Sequence, residues 1–200
     1  MVGRERLLVF QRDLEGCARS QSAKLCLRLL SAEDLGSLEL PVSHRRRIAF
    51  ALSSQDACYA LVDHERVIHH SIVSTKGRYR EPVDAELVCP GGIYIYDCWT
   101  HEGLRGRGTY PAALEYLCEL NRDRKRYALV DVWASNIPSI RGIQKAGFRL
   151  LAAFTVWHLP KMSVITTPLA LKPVLKRRRP IIVHLRLKEF SQNGDTDQHK

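Results

Sequence analysis

No run of this chain approaches the ~20 consecutive apolar residues that a membrane-spanning helix needs. Near its start the only apolar stretch is Leu7 to Phe10, behind Arg4, Glu5 and Arg6, which is too short for the core of a secretory leader. Cysteine is thinly spread: Cys17, Cys26, Cys58, Cys89, Cys98 and Cys118 form no CxxC pair and have no histidine at ligand spacing. Neither a zinc site nor a disulfide framework is signalled, so the six read as free thiols of a reducing, cytoplasmic compartment, and no metal is expected. A GxxxxGK[ST] loop is missing, and GRGTYP lacks the spacing of the dinucleotide-binding GxGxxG. Acidic residues are also outnumbered, 21 against 31 Lys and Arg, giving a formal charge of +10. That balance favours anionic partners, but no RNA- or DNA-binding motif and no aromatic interleaving accompanies it.

What is there is one domain's worth of chain, 200 residues of which 45% are apolar. Residues 1–24 read as an N-terminal extension, with a short strand at Leu7 to Phe10 and a polar connector. LCLRLL alternates like a half-buried strand, and Ser31 followed by Glu33 and Asp34 reads as a helix cap with an acidic first turn. A second helix is expected within 43–53. ACYALV and VIHHSIVS, separated by Asp63 to Arg66, suit a hairpin, and KGRYREPVDAE reads as a polar loop. IYIYDCWT is the strongest strand signal in the chain. Beyond it Pro111 opens a helix with Ala113, Leu114, Leu117 and Cys118 at helical spacing. Then come the strand ALVDVWA, a helix capped by Asn136 and closed by Gly147, and the strand LLAAFTVWHL, with VITTPL as a further candidate. The folded domain is expected over 25–168. A basic extension follows over 169–190, with a strand candidate IIVHLRL, and a disordered tail over 191–200.

The run Arg105, Gly106, Arg107, Gly108 leaves a strand and opens a helix. Such a turn offers unpaired N–H groups at the positive end of a helix dipole, a ready cradle for a pyrophosphate, with the arginines adding charge-assisted contacts. Alone, the same run suits a ligand-free surface loop equally well.

The wider frame decides between these. Arg105 and Gly108, followed further on by ALVDVWASNIPSIRGIQKAGF with Asn136, Ser139, Lys145, Gly147 and Phe148, resemble the two signatures of the GNAT superfamily of acyl-CoA N-acyltransferases. The resemblance covers about residues 25–160. It implies an α/β (α+β) fold with a mixed, mostly antiparallel, splayed sheet and flanking helices. It also implies acetyl-CoA or another acyl-CoA as co-substrate and a small-molecule amine as acceptor. A homodimer is compatible with it.

By that resemblance Cys98, Trp99 and Thr100 at the strand end hold the pantetheine arm. Arg105, Gly106, Arg107, Gly108, Thr109 and Tyr110 receive the pyrophosphate, and Asn136 and Ser139 touch the cofactor, with helix capping the alternative for Asn136. The backbone near Trp99 is the expected oxyanion donor. Asp131 is the first candidate base, a purely structural role being its alternative, and Tyr94 and Tyr96 are the others. Two positions depart from the family pattern: Tyr110 stands where Gly or Ala is usual, and Ile143 where many members carry a tyrosine that protonates the leaving thiolate. His69 and His70 read as ordinary sheet residues. Arg45 to Arg47 and Arg177 to Arg179 read as solvated charge, and the tryptophans as core. Donation from acyl carrier protein, and a non-catalytic nucleic-acid- or membrane-binding module, are the competing readings.

Overall fold

The computed structural model describes residues 3–14, 25–75, 78–80, 86–88, 91–159 and 162–166. In chain order the elements are β1 (Gly3–Asp13), β2 (Arg28–Leu30), α1 (Asp34–Ser37), α2 (Val42–Ser53), β3 (Ala57–Asp63) and β4 (Arg66–Ser74). After them come β5 (Arg78–Arg80), β6 (Glu86–Val88), β7 (Gly92–Thr100), α3 (Thr109–Asn121), β8 (Tyr127–Trp133), α4 (Ile137–Lys145), β9 (Arg149–Leu159) and β10 (Met162–Thr166). Eight strands form one sheet in the order β10-β9-β1-β8-β7-β4-β3-β2. Every pairing in it is antiparallel except β7 with β8. This is the mixed, mostly antiparallel sheet with flanking helices that the sequence implies.

Three elements differ from the sequence reading. The N-terminal strand is not a short apolar segment within an extension: it runs from Gly3 to Asp13 and lies between β8 and β9, paired along both edges. Its outer residues are polar because both faces matter only where Leu7, Val9 and Phe10 meet the cores. The polar stretch read as a loop contains the small β5–β6 hairpin, and Ser31 does not open a helix directly. Its amide and hydroxyl instead donate to the Asp34 carboxylate at 2.7 and 2.9 Å, and α1 begins at Asp34. The connector 15–24, the strand candidate IIVHLRL and the tail lie outside the described residues.

Each sheet face has its own core. On one, α3 and α4 bring Ala113, Leu114, Leu117 and Ile143 against Val73, Ile93, Ile95, Ala128, Val130 and Phe10. On the other, α1 and α2 cover β2 to β4 with Leu35, Ile48 and Ala51 over Cys58, Ala60, Val67 and Ile72. A smaller cluster of Leu7, Val9, Phe154 and Val156 continues that second face. Each such fully buried aliphatic or aromatic side chain contributes about 1.5–3 kcal/mol, which explains why strand alternation between β-branched residues sets the register.

Candidate functional site

The parallel strands β7 and β8 pair only from Gly92 with Tyr127 to Ile95 with Val130. Beyond Ile95 the two part. From Tyr96 to Thr100, β7 keeps a strand partner on the β4 side alone, while Asp131 to Trp133 pair with β1. Backbone groups facing the gap are therefore left for something other than a strand. A bulge drives the divergence: Ile72 pairs with Tyr96 and His70 with Trp99, so Asp97 and Cys98 together face Ser71. Asp97 takes a left-handed φ of 44° to make this turn, a conformation aspartate tolerates better than most residues. After the bulge Cys98 faces the α3 core and Trp99 the α2 core.

β7 runs into a single 3-10 turn, Glu102–Leu104, and then the arginine-glycine loop. Arg105, Gly106 and Arg107 are exposed, and the Arg105 Nε donates to the Thr100 carbonyl at 3.2 Å. Gly106 and Gly108 have φ of 77° and 84°, and a β-carbon at either would meet nothing within 4 Å, so these glycines serve conformation and an open approach. Gly108 caps α3, whose Thr109 and Tyr110 amides lack a carbonyl one turn back, and whose third residue is Pro111, with no N–H. The first amides of α3, its dipole and the exposed arginines Arg105 and Arg107 lie close in sequence at this end of β7, a donor set whose chemistry fits an acyl-CoA pyrophosphate.

Tyr110 does not point into that loop. Its ring turns inward between α3 and α4, where a β-carbon on Gly142 would lie 2.8 Å from Tyr110 Cδ1, and it packs with Cys98 against the α3-side core. Burial, chiefly, and the Cys98 sulfur push its phenol up, so it remains protonated. A polar chain continues from Cys98 across the face. The Ser71 hydroxyl donates to Cys98 Sγ at 3.2 Å, His69 Nε2 lies 3.0 Å from Ser71 Oγ, and His69 Nδ1 lies 2.8 Å from Thr100 Oγ1. Because Ser71 donates to the sulfur, His69 Nε2 carries the proton and Nδ1 accepts from Thr100. Burial pushes the Cys98 thiol up to about 12 and His69 down to about 4, so the chain is neutral.

The expected base, Asp131, faces the other side of the sheet from Val130 and Val132. Burial raises its carboxyl, and the Tyr94 hydroxyl opposes part of that rise. Tyr94 is fully buried, and the Tyr96 hydroxyl donates to Asp56 at 2.6 Å. Asn136 serves as the α4 cap, its Oδ1 accepting from the Ser139 amide at 3.2 Å. Ile143 is a core residue with no exposure.

Sequence reasoning missed a cluster on the α2 face. Arg47 is not simply solvated charge: its guanidinium pairs with Asp97 at 2.9 Å and lies 2.8 Å from His44 Nδ1. His44 Nδ1 lies 3.0 Å from His70 Nε2, and both rings pack on Trp99. Desolvation lowers His70 to about 3 and lowers His44, and burial raises Asp97. The available signal was a lone aspartate inside the otherwise apolar and aromatic IYIYDCWT. Among the described residues no group of three His, Cys, Asp or Glu is arranged to hold a metal, and no helix is long and apolar enough to cross a membrane.

No protein-family model matches the chain, and no curated protein does. Solved structures do. The chain is similar to an acetyltransferase from the GNAT family of Colwellia psychrerythraea, with a TM-score of 0.57 and 11% identity over 78% of this chain and 56% of that one. It is also similar to a GCN5-related N-acetyltransferase-like protein of Streptococcus suis, at 0.52 and 15% over 78% and 62%. A third is a GCN5-related N-acetyltransferase of Sphaerobacter thermophilus, at 0.50 and 16% over 77% and 50%. The chain spans between half and two thirds of the length of each. The fold is that of GNAT N-acetyltransferases.

Proposed function

We propose that this protein transfers an acyl group from an acyl-CoA, most simply acetyl-CoA, to the amine of a small molecule. The observation that carries the reading is the parting of β7 from β8 beyond Ile95, with an open, glycine-conformed loop and the N-terminus of α3 at its mouth. Bound acyl-CoA supplies an activated thioester carbonyl. The protein's part is positioning and charge. Amides of Gly108, Thr109 and Tyr110, aided by Arg105 and Arg107, receive the pyrophosphate. The unpartnered β7 backbone over Cys98, Trp99 and Thr100 takes the pantetheine amides, and a main-chain N–H beside Trp99 stabilises the oxyanion.

Two carboxylates lie at this part of the sheet, Asp97 on β7 and Asp131 on β8. Asp131, with Tyr94 beside it and its carboxyl raised by burial, is the residue the sequence nominates to manage the amine's proton. Asn136 acts by fixing the start of α4, which holds Gly142 against Tyr110.

The test is thermal denaturation with and without acetyl-CoA, joined to thiol release in the presence of a panel of primary amines. Acetyl-CoA at about 100 times its Kd is expected to stabilise the fold by about 2.7 kcal/mol. No stabilisation by acetyl-CoA, or by longer acyl-CoAs at millimolar concentration, refutes the proposal.

A further inference from the structure

Two neighbouring residues of β7 are tied to the α2 side of the sheet. The Tyr96 hydroxyl donates to Asp56, just past the end of α2, at 2.6 Å. Asp97 Oδ1 accepts from Arg47 Nη1, on α2 itself, at 2.9 Å. Successive residues of a regular strand face opposite sides, so both can turn to α2 only because of the bulge opposite Ser71. Past it, Cys98 returns to the α3 core and Trp99 to the α2 core. Without the bulge the alternation would run the other way. Trp99 would be carried to the α3 face, and the main chain beside the β7–β8 gap would turn over with it.

Aspartate is an unfavourable choice for this turn. Its φ of 44° is disfavoured for any side chain. Its carboxylate is mostly buried, with Oδ2 finding no donor among the described residues, and burial raises it against the pull of Arg47. Glycine would take the same φ without strain and bury no charge. What aspartate adds is the tie to Arg47, and that tie is built as a clamp. Arg47 and His44 lie one turn apart on α2, Arg47 Nη2 is 2.8 Å from His44 Nδ1, and the His44 ring packs on Trp99 with centroids 4.8 Å apart. One helix face thus grips the bulge at Asp97 and the strand beyond it at Trp99.

Resting on the acyltransferase reading above, we infer that Arg47 and Asp97 are positioning residues of the acyl transfer: their ion pair locks the bulge, so that the main-chain N–H beside Trp99 stays aimed into the β7–β8 gap. The pair acts on the thioester carbonyl through the backbone, while the pyrophosphate is received elsewhere, at Arg105 to Tyr110. Breaking the pair therefore falls on the chemical step rather than on cofactor affinity.

The experiment has two parts. In the full chain without ligand, proton–nitrogen NMR follows the backbone amides of Cys98, Trp99 and Thr100, which are remote in sequence from Arg47. Arg47→Gln is expected to shift all three, and so is Arg47→Gln/Asp97→Gly, which leaves no unpaired charge and no strained φ. Arg47→Lys keeps a cation for Asp97 and should leave them near their wild-type positions. Shifts confined to α2 in both glutamine variants overturn the lock, whatever acetyl-CoA does. In turnover with acetyl-CoA and an amine, Arg47→Gln and Asp97→Gly are each expected to lower kcat by about 100-fold, the effect of a misplacement of about 1 Å, with KM for acetyl-CoA little changed. The double variant should lose no more than the worse single one, and Arg47→Lys should recover most of the rate. An unchanged kcat, a loss matched by an equal rise in KM, or additive losses in the double variant overturns the positioning role. A wild type that acetyl-CoA does not stabilise, with the amide shifts as expected, refutes the acyltransferase reading and not the lock.

Discussion

The ring of Tyr110 rests on the backbone of Gly142, so closely that a β-carbon there would stand 2.8 Å from Tyr110 Cδ1. Tyr110 stands in the first turn of α3, and Gly142 lies on α4 next to Ile143, which has no exposure. The missing side chain on one helix is the room that the ring of the other occupies.

Gly142→Ala is therefore expected to destabilise the fold, although alanine is the better helix former by about 1 kcal/mol. The ring is partly buried against the α3-side core, which limits its freedom to swing away, and overpacking of this kind costs about 1–3 kcal/mol. Denaturant melts of Gly142→Ala in the Tyr110 and Tyr110→Ala backgrounds check this. The loss should largely vanish in the second background, and equal losses in both would show that the contact does not matter.

Thiol reactivity should divide the cysteines sharply. Cys58 and Cys98 are both pushed up to about 12, chiefly by burial, so at pH 8 about one molecule in 10,000 carries either thiolate. Cys26 is exposed and Cys118 buried. Of these four cysteines, timed alkylation at pH 8 followed by peptide mass spectrometry should label Cys26 rapidly and Cys58, Cys98 and Cys118 only after unfolding. Early labelling of Cys98 would contradict the neutral chain from Cys98 to Thr100.

Stability should fall on mild acidification. His69 and His70 have folded-state values near 4 and 3, below the ordinary 6.5, because both are buried. Between those values and 6.5 the unfolded chain binds protons that the folded one refuses, so stability present above pH 6.5 is lost as pH falls. Each histidine costs up to about 1.4 kcal/mol per pH unit, or about 4 kcal/mol for the two at pH 5. Asp97 and Asp131, whose carboxyls are raised by burial, act in the opposite sense. Urea melts from pH 7.5 to 5 should show this slope, with about half of it removed in His69→Gln. A flat profile would mean that the two imidazoles are not desolvated.

How legible this was from sequence varied with how local the signal is. β7, α3, β8 and α4 are announced by β-branched runs, by Pro111 and Pro138 in first turns and by Gly147 after a helix end, all within a few residues of the effect. β1 is not, because Leu7 to Phe10 specify a strand but nothing local says that it pairs with β8 and β9 on both edges. The loop and the Asn136 cap were readable as motifs. The α2-face cluster was not: His44 and Arg47 come from a helix, His70 and Asp97 from two strands, and only the bulge brings them into reach. The inward turn of Tyr110 was equally hidden, since it depends on the size of Gly142 on a different helix.

Gly108 and Gly36 offer a test of the loop that separates conformation from space. Neither would bring an added β-carbon within 4 Å of anything, but Gly108 has a φ of 84° and Gly36 has no positive φ. Gly36→Ala in α1 is expected to be neutral or to stabilise by up to about 1 kcal/mol. Gly108→Ala pays the left-handed penalty of about 1–2 kcal/mol, a fall of roughly 2–8 °C in Tm for a chain of this size. If the loop binds pyrophosphate through its amides, Gly108→Ala must also weaken acetyl-CoA by more than its loss of stability explains, because relieving that φ re-aims the Gly108 and Thr109 N–H groups. Gly108→Asn separates the two effects: asparagine tolerates the left-handed region, so stability should recover while the amides keep their direction. Isothermal titration of the three variants reads this directly. Wild-type affinity in Gly36→Ala and Gly108→Asn with a drop in Gly108→Ala supports backbone recognition, and equal affinity in all three would move the phosphate contacts away from this loop.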